Sequence, residues 1–140
     1  MKKKYIIFIV AAVVLLGIII FIVCRGNRPL VLTKTFAEGT EGEYEDKTTV
    51  KFKKNVATTI DTEYTCSNDK IEDEIYNIMM HLTNDKEHNS EFTVERDGNV
   101  LKTHNNMKSF VNYKSNFSKN LTKEEIKEWF VKEGYTVVSE

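Results

Sequence analysis

The chain has 140 residues, with 20 basic and 21 acidic side chains and a formal charge of −1. The first 28 residues carry five of the basic side chains and none of the acidic ones, which leaves 15 basic against 21 acidic side chains, near −6, in the rest. This acidic balance argues against binding to nucleic acid or to anionic lipid headgroups, because both require a concentrated basic surface. About 110 residues follow the apolar N-terminal segment, enough for one small domain and too few for two.

A stretch of twenty residues without a charged side chain, Tyr5–Cys24, lies near the N-terminus. As a helix it is about 30 Å long, the thickness of the hydrocarbon core of a bilayer, so it predicts a transmembrane anchor. Lysines occupy residues 2–4, and Arg25 and Arg28 follow the stretch. The denser basic charge at the N-terminal side predicts a cytoplasmic tail over residues 1–4 and a single-pass cell-membrane protein whose domain lies outside the cytoplasm.

Two other fates of this stretch remain open. A cleaved secretory signal usually has a shorter apolar core and small residues before its cleavage site, whereas Phe21, Ile22 and Val23 are all large or branched. Cys24 has the place of a lipidated cysteine, but Phe21 and Val23 stand where a leucine and a small residue are expected. We favour an uncleaved anchor that ends in Cys24 as a small apolar residue.

The composition also bears on modification. Twelve asparagines, and 17 lysines against three arginines, indicate an AT-rich genome, most simply that of a bacterium. The sequons at 116–118 and 120–122 would be glycosylation acceptors in a eukaryotic secreted protein, but chance matches are expected with so much asparagine. Because Cys66 is the only cysteine after the anchor, the sequence predicts no internal disulfide framework.

Residues 25–34 are predicted to form a linker, before a domain over residues 35–140. Leu30–Phe36 alternates loosely and predicts an edge strand or an extended stalk. Five of the nine residues in Glu38–Asp46 are acidic and two are glycine. Since the ligand spacing of a calcium loop is missing, this acidic run predicts a solvated turn.

Two strands and a helix are predicted next. Thr48–Phe52 and Val56–Tyr64 read as strands, and in the second one Val, Thr, Ile, Thr and Tyr alternate as on one face of a half-buried sheet. Asp69 and Glu72 resemble the capping box that begins a helix, and Glu72 is expected to face water. The predicted apolar stripe of this helix consists of Ile71, Ile75, Ile78, Met79 and Leu82.

A polar loop over residues 83–90 precedes a predicted hairpin. Phe92–Arg96 and Val100–His104 flank Asp97-Gly98-Asn99, and an Asp-Gly pair suits the positive φ angles of a tight turn. Met107–Phe117 is predicted to be a further strand that pairs with this hairpin.

The C-terminal part predicts a second helix and a last strand. Thr122 and Glu125 form a capping box, Gly134 ends the helix, and Tyr135–Val138 can add a short strand. The apolar face of this helix consists of Ile126, Trp129 and Phe130. The order of elements predicts an α+β fold in two layers, an antiparallel sheet with two helices on one face.

No pattern in the sequence predicts a catalytic residue, a metal ligand or a cofactor. The spacing of the soft metal ligands matches no zinc motif; they are Cys66, His81, His88 and His104. No serine or cysteine lies in a glycine-rich elbow, and Glu124 and Glu125 lie at a helix start, where the helix dipole favours acidic side chains. We therefore do not expect an enzyme.

Four aromatic residues are the best candidates for an interaction face: Phe110, Tyr113, Phe117 and Trp129. Aromatic side chains anchor protein interfaces and stack on sugars, so this face would suit a protein partner or peptidoglycan. The alternative is that these residues are the core of a small domain.

The run 118–135, a helix of mixed charge that closes on Gly134-Tyr135, is similar to the end of small bacterial lipoproteins of unknown function related to YehR. The chain differs from that family in its shorter middle and in the residues before Cys24. The resemblance implies a membrane-tethered α+β domain with no known enzymatic activity, and it implies no site residues.

These patterns together predict a non-enzymatic, membrane-anchored extracytoplasmic domain that interacts with another cell-envelope protein. The alternative is a tethered module that binds a small ligand or the cell wall.

Overall fold

The computed structural model describes residues 2–38, 42–85, 91–107 and 121–140, with side chains for 13–37 and for the three later ranges. These residues form three helices and six strands. The helices are α1 (Lys2–Asn27), α2 (Asp69–Asn84) and α3 (Lys123–Lys132). The strands are β1 (Leu30–Glu38), β2 (Gly42–Lys53), β3 (Val56–Cys66), β4 (Thr93–Asp97), β5 (Val100–Asn106) and β6 (Thr136–Ser139). The predicted α+β class is confirmed.

The six strands form one antiparallel sheet in the order β4-β5-β3-β2-β1-β6. The prediction of an edge strand or stalk at Leu30–Phe36 is wrong, because β1 lies inside the sheet. It pairs with β2 along its whole length, and its beginning also pairs with β6 from the far end of the chain. Leu30 and Leu32 are completely buried as a result.

One helix, α1, contains the whole predicted anchor and continues to Asn27. The Asn27 Oδ1 atom accepts a hydrogen bond of 2.7 Å from the Lys54 backbone N–H. Only Arg28 and Pro29 separate α1 from β1, so the connection is shorter than the predicted linker over 25–34. Counting only residues with described side chains, which in α1 begin at Val13, no helix is long and apolar enough to cross a bilayer.

The β2–β3 hairpin confirms two predicted strands and places their turn at Lys54 and Asn55, which have φ angles of 52° and 61°. Two successive positive φ angles match the tight turn that continues the twist of paired strands. The register shifts close to this turn, so Ala57 is buried and Thr58 is exposed. The prediction that Thr58 faces the sheet interior is wrong, because a bulge reverses the alternation there.

Helix α2 begins one residue earlier than predicted. Its N-cap is Asn68, whose Oδ1 accepts a hydrogen bond of 3.0 Å from the Ile71 backbone N–H. Ile71 and Ile75 of the predicted stripe are buried, whereas Ile78 is 59% exposed. The apolar face therefore turns gradually away from the sheet toward the C-terminal end of the helix.

Glu72 was expected to face water, and this prediction is wrong. Its carboxylate is 6% exposed and accepts a hydrogen bond of 2.7 Å from Nε of Arg96 on β4. A second guanidinium nitrogen donates to the exposed carboxylate of Asp73, also at 2.7 Å, and the guanidinium lies 4.6 Å from the centre of the Tyr76 ring. This cluster attaches α2 to the edge strand of the sheet.

Local predictions for the C-terminal half are confirmed. Gly98 lies in the two-residue turn between β4 and β5 with φ of 63°. Thr122 caps α3 through the predicted capping box with Glu125, and Gly134 follows the helix with φ of 90°. Of the strand predicted over Met107–Phe117, only Met107 lies within the described residues. It is buried and has helical structure, so the strand prediction is wrong at this residue.

The core of the sheet has two parts. One cluster packs under α3 and includes Leu30, Leu32, Val50, Ile126 and Phe130. The other packs under α2 and consists of Cys66, Ile71, Ile75 and Leu101, with tyrosines at its margin. The side chains of the sheet between these clusters are largely polar, and they form the candidate site.

Candidate functional site

Five buried polar side chains, here called the polar band, cross the central strands between the two core clusters: Asp46, Thr48, Thr62, Thr103 and Asn105. Antiparallel register places Thr48 of β2 opposite Thr62 of β3, and Thr62 opposite Thr103 of β5. Cross-strand neighbours on one face of a sheet lie close enough for their side chains to interact. The band is therefore set by strand register, and each of its side chains is at most 8% exposed.

The hydroxyl groups of the polar band donate toward Asp46. Thr48 Oγ1 donates to Asp46 Oδ1 at 2.7 Å, and Thr48 and Thr62 lie 3.0 Å apart at their Oγ1 atoms. Because a hydroxyl has one hydrogen to donate, Thr62 is the donor in that second contact. Tyr135, just before β6, donates its phenolic hydrogen to Asp46 Oδ2 at 2.8 Å.

Burial raises the pKa of Asp46, while the hydrogen bonds from Thr48 and Tyr135 and the charge of Lys34 favour its ionised form. The Lys34 ammonium itself donates to the Glu133 carbonyl at 2.6 Å and lies 4.5 Å from the centre of the Phe36 ring. Burial, and next the charge of Asp46, raise the pKa of Tyr135, so its hydroxyl remains a donor.

Asn105 lies at the opposite end of the polar band, on β5 across from Ile60. It is 5% exposed, and its Oδ1 atom has no hydrogen-bond partner among the described residues. Within the described part of the chain only Thr59 Oγ1 shares this condition. A buried carbonyl oxygen without a partner costs free energy on the order of 1–3 kcal/mol, so it is a feature that requires an explanation.

A cavity of about 290 Å³ lies above the polar band. Helix α2 contributes Met79 and Leu82 to its wall, α3 contributes Trp129 and Phe130, and Phe92 and Tyr135 complete its apolar side. The polar band forms its floor, including Asp46 and Asn105. A concave site of this size with mostly apolar walls and a few polar groups is typical of a small-molecule site.

No protein-family model, curated protein or solved structure matches the chain.

The resemblance to YehR-related lipoproteins thus stays a prediction, and the site has to be interpreted from its own chemistry.

Of the four aromatic residues predicted as an interaction face, Phe110, Tyr113 and Phe117 lie outside the described residues. Trp129 is described. It packs against the core cluster under α3, with its ring centre 4.8 Å from that of Phe130 in an edge-to-face contact, and it lines the cavity. An aromatic pair of this geometry gives a rigid wall.

The soft metal ligands lie apart. His104 pairs with Asp61 on the face of the sheet opposite the helices, whereas Cys66 is buried against Leu101 beneath α2. Burial raises the pKa of the Cys66 thiol, which makes it a poor nucleophile. His88 lies outside the described residues. Among the described side chains, no three histidine, cysteine, aspartate or glutamate residues are grouped as a metal site.

The sequence analysis missed the polar band because each member is ordinary in isolation. Asp46 ends a run of acidic residues that predicts a solvated turn, but β2 already begins at Gly42. The available signal was the alternation itself: Asp46, Thr48 and Val50 occupy every second position of one strand. Thr62 of β3 and Thr103 of β5 also lie at inward-facing positions of their strands. Inward-facing polar side chains on three adjacent strands could therefore have indicated a polar interior.

Proposed function

We propose that this protein is a non-catalytic, membrane-anchored domain that binds a small molecule in the cavity above the polar band. The observation that carries the proposal is a cavity of about 290 Å³ between two helices and a buried, polar sheet surface. This volume lies just below the roughly 300–1,000 Å³ typical of small-molecule sites. The occupant is therefore small.

The surface of α1 supports the anchor. From Val13 to Val23 its large apolar side chains are all at least half exposed, so no described residue of the domain covers them. A continuous apolar surface of this kind requires an apolar environment, and a bilayer supplies one. The basic residues 2–4 favour a cytoplasmic N-terminus and an exported domain.

Binding is favoured over catalysis by the bonding of the polar groups. Both carboxylate oxygens of Asp46 already accept hydrogen bonds from within the domain, and the threonine hydroxyl groups are held by their neighbours across the strands. Such a network holds polar groups in fixed positions, which suits recognition of a ligand. The neighbouring envelope protein predicted from the sequence remains the alternative partner.

A methyl NMR experiment tests ligand binding. The full-length protein, reconstituted in nanodiscs of neutral lipid and labelled at isoleucine and methionine methyl groups, is titrated with a panel of small amines, carboxylates, sugars and neutral alcohols. We expect at least one compound to shift the signals of Ile60 and Met79, which line the cavity, more than those of Ile71 and Ile126, which are buried elsewhere.

Filling the cavity provides the matched control. Thr103→Leu places an apolar side chain in its floor and should abolish the response, whereas Thr59→Val, on a side chain outside the cavity lining, should leave it unchanged. A panel that leaves Ile60 and Met79 unshifted, together with reproducible crosslinking of the native protein to one envelope protein, would replace the proposal with the protein-interaction alternative.

A further inference from the structure

We propose that the cavity binds a linear organic amine that carries a hydrogen-bond donor at each end, with one ammonium group at Asp46 and the second donor at Asn105. This inference rests on the proposed function and specifies the class of ligand. Two independent observations support it: the carboxylate that ends the hydroxyl network, and the Oδ1 of Asn105 at the other end of the polar band, which has no partner in the described part of the chain.

The threonine hydroxyl groups in the floor of the cavity have no hydrogen left to donate to a ligand. The hydrogen of Thr48 is committed to Asp46, that of Thr62 to Thr48, and that of Thr103 to the Thr62 carbonyl at 3.4 Å. Each oxygen of an ionised carboxylate can accept a further hydrogen bond, and the amide oxygen of Asn105 can accept two. A ligand that supplies donors would pair these atoms, whereas a carboxylate or phosphate would meet like charge and further acceptors.

Asp46 favours a ligand with a positive charge. This carboxylate is 6% exposed, and no basic side chain lies within salt-bridge distance of it among the described residues. The charge of Lys34 acts on it from further away, because the Lys34 ammonium is bonded to the Glu133 carbonyl. A buried charge is stable only when it is paired and hydrogen-bonded. The aromatic ring of Trp129 in the same cavity attracts an organic cation.

The spacing of the two acceptors argues for an elongated ligand. Asp46 and Asn105 are separated by two strand spacings across the sheet and by four residues along it. With strands about 4.8 Å apart and about 3.4 Å per residue, their Cα atoms lie roughly 17 Å from each other. One ammonium group cannot reach both side chains. The apolar wall between them, which includes Met79 and Phe130, suits a methylene chain.

The test uses the full-length protein in neutral-lipid nanodiscs, because anionic lipids would themselves bind amines. Diaminobutane, diaminohexane and diaminooctane are titrated while the methyl signals of Ile60 and Met79 are followed, in parallel with hexylamine, hexanediol and adipate. We expect a six- or eight-carbon diamine to bind at least about tenfold more tightly than hexylamine. Hexanediol should bind more weakly than hexylamine, and adipate should not bind.

Three variants locate the two ends of the ligand. Asp46→Asn keeps the shape of the side chain and should weaken diamine binding about tenfold or more. Asn105→Leu should reduce diamine affinity to that of hexylamine while leaving hexylamine affinity unchanged. Thr59→Val removes the other buried unpaired oxygen, outside the cavity lining, and should change neither affinity.

The outcomes separate the two proposals. Binding of adipate or hexanediol as tight as that of the diamines, at the same methyl signals, overturns the amine class and leaves a ligand-binding domain. Equal affinities of hexylamine and the diamines overturn the second donor site at Asn105. No response of Ile60 and Met79 to these probes, or to any compound of the wider panel, overturns both.

Discussion

Changing Tyr135 to phenylalanine removes one hydroxyl group from the site and keeps the ring. The ring centre lies 4.9 Å from that of Phe130 in an edge-to-face contact, which phenylalanine preserves. The lost interaction is the hydrogen bond of 2.8 Å to Asp46 Oδ2, on a carboxylate that is 6% exposed. A hydrogen bond to a buried charged group contributes on the order of 1.5–3 kcal/mol. We expect the free energy of unfolding at pH 7 to fall by about 2 kcal/mol, which lowers Tm by roughly 7–9 °C.

Equilibrium unfolding of the full-length protein, followed by the fluorescence of Trp129, measures this loss, because Trp129 is the only tryptophan in the chain. The loss should shrink as the pH falls, since protonation of Asp46 removes the charge that the phenol stabilises. Tyr76→Phe is the control, because Tyr76 lies on α2 away from Asp46, and its effect should stay below about 0.5 kcal/mol. If Tyr135→Phe is as mild as Tyr76→Phe at pH 7, the phenol does not stabilise an ionised Asp46, and the account of the hydroxyl network fails.

Further predictions concern the buried charge, the core and the α2 attachment. Burial raises the pKa of Asp46, so the stability of the wild type relative to Asp46→Asn should be greatest below the ordinary aspartate pKa and should decline as the pH rises through the raised pKa. Denaturation curves from pH 4 to 7 measure this difference in stability, and a difference that stays constant over that range would contradict the prediction. Ile126→Ala removes a side chain that is 1% exposed and should cost about 2–5 kcal/mol in urea unfolding, against under about 0.5 kcal/mol for Val131→Ala on the exposed side of α3. Arg96→Met leaves the buried Glu72 carboxylate unpaired, so we expect a lower Tm that Glu72→Met restores in the double variant; a Tm that stays low would show that the guanidinium acts through other contacts.

Elements whose signals are local could be predicted from the sequence. The capping box of α3, the turn at Gly98 and the alternation of β3 after its bulge each depend on residues within a few positions of one another. Features that depend on residues far apart in the sequence could not be predicted from it. β1 is an interior strand because β6 pairs with it from about a hundred residues further along, and Glu72 is buried because Arg96 comes to it from β4.

The candidate site also depends on distant partners. The alternation in β2 shows that Asp46 and Thr48 share a face, but not whether that face is wet or dry. Their burial depends on α2 and α3, which lie side by side over the same face of the sheet. It also depends on Tyr135, which lies 89 positions from Asp46 in the sequence. Threonines at alternate positions of a strand fit both a solvated face and a polar interior. The cavity could therefore not be predicted from the sequence alone.

The polar band also has a consequence for how the strands find their alignment. A slip of one residue between two strands turns every side chain to the wrong face, and burial alone prevents it. A slip of two residues keeps the faces and is not opposed by hydrophobicity. It would, however, place Thr62 opposite Val50 in one direction and Thr48 opposite Ile60 in the other. A buried hydroxyl group opposite an apolar side chain loses its cross-strand partner at a cost on the order of 1–3 kcal/mol. Threonines that pair across the middle of the sheet thus select one alignment of β2 and β3 among those that the apolar pattern permits.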